Sequence, residues 1–316
     1  MKNESNFEII NFEDEFFIKT NENEYTWGGQ VPEEGRTTIV RLSRKEAKYT
    51  FFEKYNITSK NNQPIKDTTL KIPYCYKRGN NQLLNFHCSS KQTKRIKKDE
   101  NIKAFTAQFL NIQSTKGELI IQGQLINRCK GEWICGLTDE EIESLIPKDF
   151  KDNKQKFYQI AKGIIQQYDK EHKNGLVKIP DVAKIGKWIK KNVKYDINYS
   201  GRNDITATDT YNNLEGVCDH FTKLYNALMY SLGYKVIYTI GYAMDKNDCF
   251  GNEDAHAWSL IKIDGKWLPF DATWGIFSGK FPVSHVFKQF DCKGIITTGY
   301  DHVNVGKIHI EGHFLE

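Results

Sequence analysis

Short apolar and β-branched runs, separated by polar breaks, occupy the first 140 residues of the chain. They read "TTLKIPYCYK" at 68–77, "QLLNFHC" at 82–88, "AFTAQFLNI" at 104–112 and "GELIIQGQLI" at 117–126, and the breaks between them are rich in Gly, Asn and Lys. Runs of this length and composition are typical of strands in an antiparallel sandwich. The pattern predicts a β-rich N-terminal domain over residues 1–140. We expect this domain to serve in support or recognition and to carry no catalytic residues.

From about residue 138 the apolar spacing becomes helical. Thr138 is placed to cap a short helix in "TDEEIESLI", which carries acidic residues in its first turn. Residues 152–172 and 181–196 read as two longer helices, and further helices and strands follow. The sequence therefore predicts an α+β fold with a second domain over residues 141–316.

An amphipathic helix is predicted within "GVCDHFTKLYNALMYSLGY", residues 216–234. Gly233 supplies its stop, and Cys218 lies in its first turn, where unpaired backbone N–H groups favour a thiolate over a thiol. A cysteine here is explained equally well as one more buried residue of the apolar face. That face repeats at helical spacing through Phe221, Leu224, Tyr225, Leu228, Met229 and Leu232.

A β-hairpin is predicted in "DAHAWSLIKIDGKWLPFDATWG", because two apolar runs flank the Asp264-Gly265 pair. A two-residue turn there places Trp258 opposite Asp271. Paired residues share one face of a sheet, so His256 and Asp271 become diagonal neighbours with Cα atoms roughly 7–8 Å apart. A three-residue loop would instead place them on opposite faces.

Cys218, His256 and Asp271 together suit nucleophilic catalysis. A nucleophilic thiol needs a base to take its proton and a third group to orient that base. Each residue alone has a structural explanation, since a histidine beside a tryptophan often packs in a sheet and an aspartate near a strand end often caps a turn. The conjunction favours a reactive site.

Residues 181–290 resemble the transglutaminase-like superfamily of papain-type cysteine enzymes, and are most similar to its bacterial-type and kyphoscoliosis-type peptidases. The resemblance implies a core in which a helix-borne cysteine packs on an antiparallel sheet. It also implies a triad of Cys218 as nucleophile, His256 as base and acid, and Asp271 as orienter of the imidazole. The matching blocks are "KWIKKNVKYD", "GVCDHFTKLYNALMYSLGY", "IGYA", "DAHAWSLIKIDGKWLPFDATWG" and "SHVFKQFD".

The resemblance implies a cysteine-dependent amide hydrolase or acyl transferase that acts on protein or peptide substrates through a thioester and needs no cofactor. A transglutaminase-like protease is the first expectation; a glutamine transamidase or deamidase, or a non-catalytic scaffold, is the alternative. Animal transglutaminases carry Trp after the cysteine, where this chain has Asp219, and their calcium loops have no counterpart here. The CxxC zinc pairs of peptide N-glycanases are absent as well.

A thioester mechanism also needs donors for the oxyanion. The backbone N–H of Cys218 is predicted to be one of them. Tyr195, in "KYD", is a candidate for the second, although a tyrosine at that position fits a core role equally well.

Charge and composition give no sign of a nucleic-acid or membrane partner. Lys plus Arg number 45 against 40 for Asp plus Glu, and the dense basic run "KQTKRIKK" at 91–98 lacks interleaved aromatics, so it is predicted to be a solvated loop. There is no signal-like N-terminus and no apolar stretch near the length of about 18 residues that a membrane span requires.

Seven cysteines without a CxxC pair indicate reduced thiols and a cytoplasmic location, although a chain exported by an unconventional route would show the same features. The six cysteines other than Cys218 are predicted to be core or bystander thiols. "CDH" at 218–220 and "HIEGH" at 309–313 are faint metal-binding signals, but neither supplies a full ligand set, so no metal site is predicted.

Overall fold

The computed structural model of the protein describes the backbone of residues 9–12, 15–21, 24–30, 46–65, 68–73, 81–89, 95–99, 104–109, 115–128, 132–133, 135–171, 179–243, 249–251, 254–277, 279, 281, 285–290, 296–298 and 303–315.

The N-terminal part of the chain is β-rich, as predicted. The four runs singled out in the sequence correspond to β5, β6, β8 and β9. In the long strand β4 buried and less buried positions alternate, because successive side chains point to opposite faces of a sheet. The strands are Ile9–Phe12 (β1), Glu15–Asn21 (β2), Glu24–Gln30 (β3), Glu46–Ser59 (β4), Thr68–Pro73 (β5), Asn81–Ser89 (β6), Arg95–Asp99 (β7), Ala104–Phe109 (β8) and Lys116–Arg128 (β9).

The prediction of a loop for the basic run is wrong where the structure describes it. Residues 95–98 belong to β7, which pairs antiparallel with β8. Lysine and arginine occur in strands as well as in loops, so charge alone did not distinguish the two. Residues 91–94 lie outside the described residues.

Helices begin at the predicted change of pattern. Thr138 caps the first helix in a capping box with Glu141, whose backbone N–H donates to the threonine hydroxyl. Among the helices that the structure describes, none is long and apolar enough to cross a membrane. They are Asp139–Leu145 (α1), Lys148–Asp152 (α2), Lys154–Glu171 (α3), Asp181–Asn192 (α4), Ala207–Asn213 (α5) and Cys218–Ser231 (α6).

The described residues of the C-terminal half contribute nine further strands. Four of them form an antiparallel sheet in the order β15-β14-β12-β16, and α6 packs against β14 and β12. This arrangement confirms the α+β core in which a helix-borne cysteine lies on an antiparallel sheet. The strands are Lys194–Tyr195 (β10), Glu215–Gly216 (β11), Val236–Ala243 (β12), Cys249–Gly251 (β13), Ala255–Ile263 (β14), Lys266–Phe270 (β15), His285–Phe290 (β16), Ile296–Thr298 (β17) and Val303–Leu315 (β18).

Strands from the end of the chain complete the N-terminal sheets. β18 pairs with β4 in a sheet of order β13-β18-β4-β9-β6, and β17 pairs with β5 in a sheet of order β17-β5-β8-β7. The division into residues 1–140 and 141–316 stays a prediction, and so does the sandwich packing of the N-terminal sheets. The pairing of β17 and β18 with β5 and β4 is a feature that a linear reading of the sequence did not anticipate.

Two apolar clusters pack around α6 and β14 in the described part of the chain. The larger one surrounds α6, whose Leu224, Tyr225 and Leu228 are fully buried against α3, α4 and β14. The smaller one surrounds Trp258 of β14, which meets the ring of Trp133 edge-on at 6.1 Å. Burial of large side chains in both clusters fixes α6 and β14 relative to each other.

Candidate functional site

The hairpin between β14 and β15 has the predicted register. Asp264 and Gly265 both have positive φ, 48° and 79°, as a two-residue type I′ turn requires. Ile263 pairs with Lys266, and the ladder continues to Ser259 opposite Phe270. His256 and Asp271 therefore reach the same end of the hairpin, on the same face.

His256 and Asp271 are in direct contact there. The Nε2 atom of His256 lies 2.7 Å from Oδ2 of Asp271, and the carboxylate is completely buried. The other carboxylate oxygen accepts hydrogen bonds from the backbone N–H groups of Thr273 and Trp274, at 2.8 and 3.0 Å. Asp271 is thus held from both sides in one orientation toward the imidazole.

Cys218 is the first residue of α6 and is half-buried. The side chain of His220, one turn into the helix, accepts a hydrogen bond from the N–H of Val217 through Nδ1 at 3.0 Å, while its Nε2 lies 3.1 Å from the carbonyl of Arg202. Gly216 makes room for this ring, because a Cβ at that position would lie 2.5 Å from Cβ of His220. His220 therefore shapes the start of the helix, and both of its nitrogens are used by the backbone rather than by a metal.

The electrostatics of the site favour a charged imidazole. Burial by itself lowers the pKa of His256, but the negative charge and hydrogen bond of Asp271, together with a hydrogen bond to Cys218, outweigh it and raise that pKa to about 10. Burial in turn raises the pKa of Asp271, while the charge and hydrogen bond of His256 and the hydrogen bond of His285 lower it by more. At neutral pH the pair is an imidazolium held by a carboxylate.

His256 connects the two other predicted site residues. Because its Nε2 is engaged by Asp271, Nδ1 is the nitrogen that remains for the hydrogen bond to Cys218. The structure thus brings together all three side chains that the sequence singled out. Such an arrangement can move a proton between sulfur and imidazole while the carboxylate keeps the ring oriented.

A family model described as the transglutaminase-like superfamily matches residues 162–272, the stretch that contains Cys218, His256 and Asp271. Residues 162–272 are therefore similar in sequence to the transglutaminase-like superfamily.

Two curated relatives and a solved structure are also similar to this chain. Kyphoscoliosis peptidases of Mus musculus and Homo sapiens are 27% and 28% identical over 95 residues, a match that covers 28% of this chain and only 14% of each relative. A crystal structure from Cytophaga hutchinsonii, described as that of a candidate cysteine protease, has a TM-score of 0.59 at 20% identity. It covers 86% of this chain and 92% of its own. At this identity the likeness shows a shared fold.

The site contains one further residue, outside the matched stretch 162–272, that sequence reasoning missed. Nε2 of His285 lies 3.0 Å from Oδ2 of Asp271, the same oxygen that meets His256. The side chain is completely buried, and its ring meets Phe281 at 4.4 Å and Trp274 at 4.8 Å. His285 lies in the "SHVFKQFD" block, but its role could not be read there because β16 reaches the site only by pairing with β12.

His256, Asp271 and His285 are also the one group of three metal-type side chains in the described part of the chain, with ligand atoms within 4.8 Å of one another. Both imidazoles, however, lie at hydrogen-bond distance from a single carboxylate oxygen. Each then presents a proton to that oxygen instead of a lone pair to a shared ion. The second faint metal signal, residues 309–313, forms part of β18, and the placement of its histidine side chains lies outside what the structure describes.

Tyr195 lies at the edge of the transglutaminase-like site. β10 pairs with β11 so that Tyr195 faces Gly216, two residues before Cys218. Its side chain is 51% exposed, so the alternative of a core role is wrong. Partial burial and, after it, the charges of Cys218 and Asp271 raise the pKa of Tyr195, so its hydroxyl keeps a proton to donate at neutral pH.

Proposed function

We propose that this chain is a cysteine-dependent amide hydrolase or acyl transferase that acts on protein or peptide substrates through a thioester, in the first place as a transglutaminase-like protease. The observation that carries the proposal is the position of His256 between Cys218 and the buried carboxylate of Asp271. The placement of Cys218 at the start of α6 supports it further, since the unpaired backbone N–H groups of a first helical turn lie beside its side chain.

In the first step the sulfur of Cys218 attacks the carbonyl carbon of a carboxamide or peptide bond. The C–S bond forms, and the carbonyl electrons move to oxygen. When the tetrahedral intermediate collapses, the C–N bond breaks and His256 gives its proton to the departing amine. The products of this step are an acyl-enzyme thioester and a free amine.

The oxyanion of the intermediate needs hydrogen-bond donors. We assign one to the backbone N–H of Cys218, which lies in the first helical turn where no helical carbonyl can accept it. The Tyr195 hydroxyl is our candidate for the second donor, because Tyr195 lies next to the strand that leads into the cysteine.

The second step decides the reaction type. If water attacks the thioester, His256 takes its proton, the C–S bond breaks and the sulfur of Cys218 recovers a proton from His256. The chain then acts as a protease, or as a deamidase on a glutamine side chain. If a lysine-like amine attacks, the result is transamidation. Hydrolysis of peptide bonds is favoured here because the curated relatives are named peptidases and the solved fold relative is described as a candidate cysteine protease.

A polypeptide substrate suits the surface near Cys218. Among the described residues, Tyr195 and Ile197 are the exposed large apolar side chains, at 51% and 67% exposure. Tyr195 lies on β10, which pairs with β11 just before Cys218, and Ile197 begins the 3₁₀ turn that follows β10. Exposed apolar side chains beside a nucleophile can contact the side chains that flank a scissile bond.

The reaction type can be tested with one assay. A glutamine-containing protein is incubated with the enzyme and a tagged primary amine, and chain cleavage, ammonia release and tag incorporation are measured together. Cleavage supports the protease, ammonia alone supports the deamidase, and tag incorporation supports the transamidase. Each signal must disappear in a Cys218→Ala variant.

The scaffold alternative is tested without any substrate. A thiol-directed electrophile is reacted with the folded protein across a pH series, and labelled peptides are quantified by mass spectrometry. Rapid labelling of Cys218 above that of the other six cysteines supports an enzyme. Slow labelling of Cys218 that matches the other cysteines, combined with no turnover, would overturn the proposal and support a scaffold.

A further inference from the structure

The carboxylate of Asp271 is shared by two histidines that come from different strands. His256 lies on β14 and His285 on β16, and β12 runs between these strands in the sheet. Their Nε2 atoms lie 2.7 and 3.0 Å from the same oxygen, Oδ2. A triad mechanism needs only one of these two contacts.

We propose that His285 is a positioning residue of this site, donating a hydrogen bond from Nε2 to Asp271 that keeps the carboxylate oriented toward His256 and lowers the negative potential that the carboxylate exerts on that ring. This inference rests on the proposed function, because it assigns His285 an influence on the reaction that His256 carries out.

Orientation is the first part of the role. Asp271 accepts two backbone N–H groups on Oδ1 and two imidazoles on Oδ2, so its carboxylate plane is fixed by four donors. Without His285, one donor remains on Oδ2, and that donor belongs to the ring whose position the carboxylate is meant to fix. His285 is a donor from another strand, so it fixes the position of Oδ2 independently of the His256 ring.

Charge is the second part of the role. An N–H dipole that points at Oδ2 places its positive end near the carboxylate and so reduces the negative potential that His256 experiences. Removal of that dipole leaves the full carboxylate charge to His256 and raises the pKa of the imidazolium. The titratable groups around His256 that set this balance are Asp271 after β15, Cys218 on α6, His285 on β16, and, near Asp271, Lys190 on α4 and Tyr195 on β10.

The backbone of His285 is itself anchored. The side-chain amide of Asn127, a fully buried residue of β9, donates to the carbonyl of His285 at 2.8 Å. The N-terminal sheet that contains β9 thereby holds the start of β16 at the site. This anchor gives the β-rich part of the chain a defined part in the geometry around Asp271.

A purely structural explanation for His285 is packing, since its ring contacts Phe281 and Trp274. Two substitutions separate packing from hydrogen bonding. His285→Leu fills the space without a donor, whereas His285→Gln keeps an N–H donor at about the position of the imidazole Nε2. His87→Gln, at an exposed position of β6, serves as the matched control for replacing a histidine.

We expect His285→Leu to lower kcat/KM by about 10–100-fold, the range typical for residues that orient a reacting ligand. The loss should lie in kcat, with KM nearly unchanged. The basic limb of the pH profile should move to higher pH, because the pKa of His256 rises. His285→Gln should restore most of the rate and of the pH profile, and His87→Gln should match the wild type.

Proton NMR of the substrate-free protein gives a readout that does not depend on activity. Wild type should show two downfield imidazole N–H resonances, one from each histidine on Asp271, and His285→Leu should lose one of them. If the His285 resonance is missing in wild type, the proposal is wrong. If the resonance is present but no amide substrate is turned over, the proposed function fails while the hydrogen bond stands, and the alkylation rate of Cys218 then reports the influence of His285.

Three further outcomes would contradict the proposal. Wild-type kinetics in His285→Leu would show that the hydrogen bond between His285 and Asp271 does not affect the reaction. Equal losses in His285→Leu and His285→Gln, with an unchanged titration of His256, would show a packing role only. Stoichiometric Zn²⁺ binding that supports activity and is lost in His285→Leu would make His285 a metal ligand. Should His285→Leu fail to fold, His285→Gln and the wild-type NMR spectrum decide.

Discussion

His256 and Asp271 lie fifteen residues apart in the chain, and their Nε2 and Oδ2 atoms meet at 2.7 Å across one hairpin. A two-residue turn at Asp264 and Gly265 is what makes this contact possible, because a shift of one residue would place the two side chains on opposite faces of the sheet. Local chain geometry therefore brings Asp271 and His256 together. The thiol of Cys218 comes from a separate element, α6.

Asp271→Asn should keep the shape of the site and remove its charge. The imidazole then loses the negative partner that holds it protonated and oriented, and we expect kcat/KM to fall by about 10²–10⁴-fold, the range that general acid–base catalysis contributes. Steady-state kinetics on the substrate found by the tagged-amine assay measure this effect.

Asp264→Asn is the matched control for that substitution. Position 264 has φ of 48°, a conformation that asparagine adopts readily, so the turn and the activity should both be preserved. An active Asp271→Asn variant beside an inactive Asp264→Asn variant would show that the carboxylate has been assigned wrongly.

Cys218→Ala should abolish turnover while the fold stays intact. Cys135 is a suitable comparison because it is a buried cysteine in the cluster around Trp258. We expect Cys135→Ala to keep its kcat and to lose stability through a small cavity. Residual turnover in Cys218→Ala, above that of a heat-inactivated sample, would remove the nucleophile from this position.

Stability should depend on the ionisation of His256. Its pKa is raised from the ordinary 6.5 to about 10, so the folded chain holds the proton more tightly than the unfolded chain does. The stabilisation is complete below about pH 6.5 and is lost as the pH rises through about 10. Urea unfolding midpoints should therefore fall over this window in wild type, and fall less in Asp271→Asn. Parallel curves for the two proteins would contradict the raised pKa.

Gly216→Ala should disturb the start of α6. A Cβ at this position would lie 2.5 Å from Cβ of His220, so the ring that accepts the Val217 N–H would have to move. We expect slower alkylation of Cys218 and a lower melting temperature. Gly163→Ala, on an exposed and open position of α3, is the control and should raise stability by about 0.5–1 kcal/mol.

Local sequence rules were sufficient where the structure is local. The capping box at Thr138, the apolar stripe of α6 and the register around Asp264 follow from backbone geometry within a few residues, and each is present in the structure. The loop prediction is wrong for residues 95–98 of the basic run because lysine and arginine occur in strands as well as in loops.

By itself the sequence determined the helix capped by Thr138, the helix that begins with Cys218 and the hairpin at Asp264-Gly265, and it singled out three candidate site residues. Helix period, turn chemistry and hairpin register are encoded in neighbouring positions. Only the tertiary structure decided that β18 completes the sheet of β4, that Asn127 anchors β16, and that His285 shares the carboxylate of Asp271. These relationships depend on pairing between strands far apart in the chain. No local preference fixes which strand lies beside which, because that choice is made by the burial of whole faces at once.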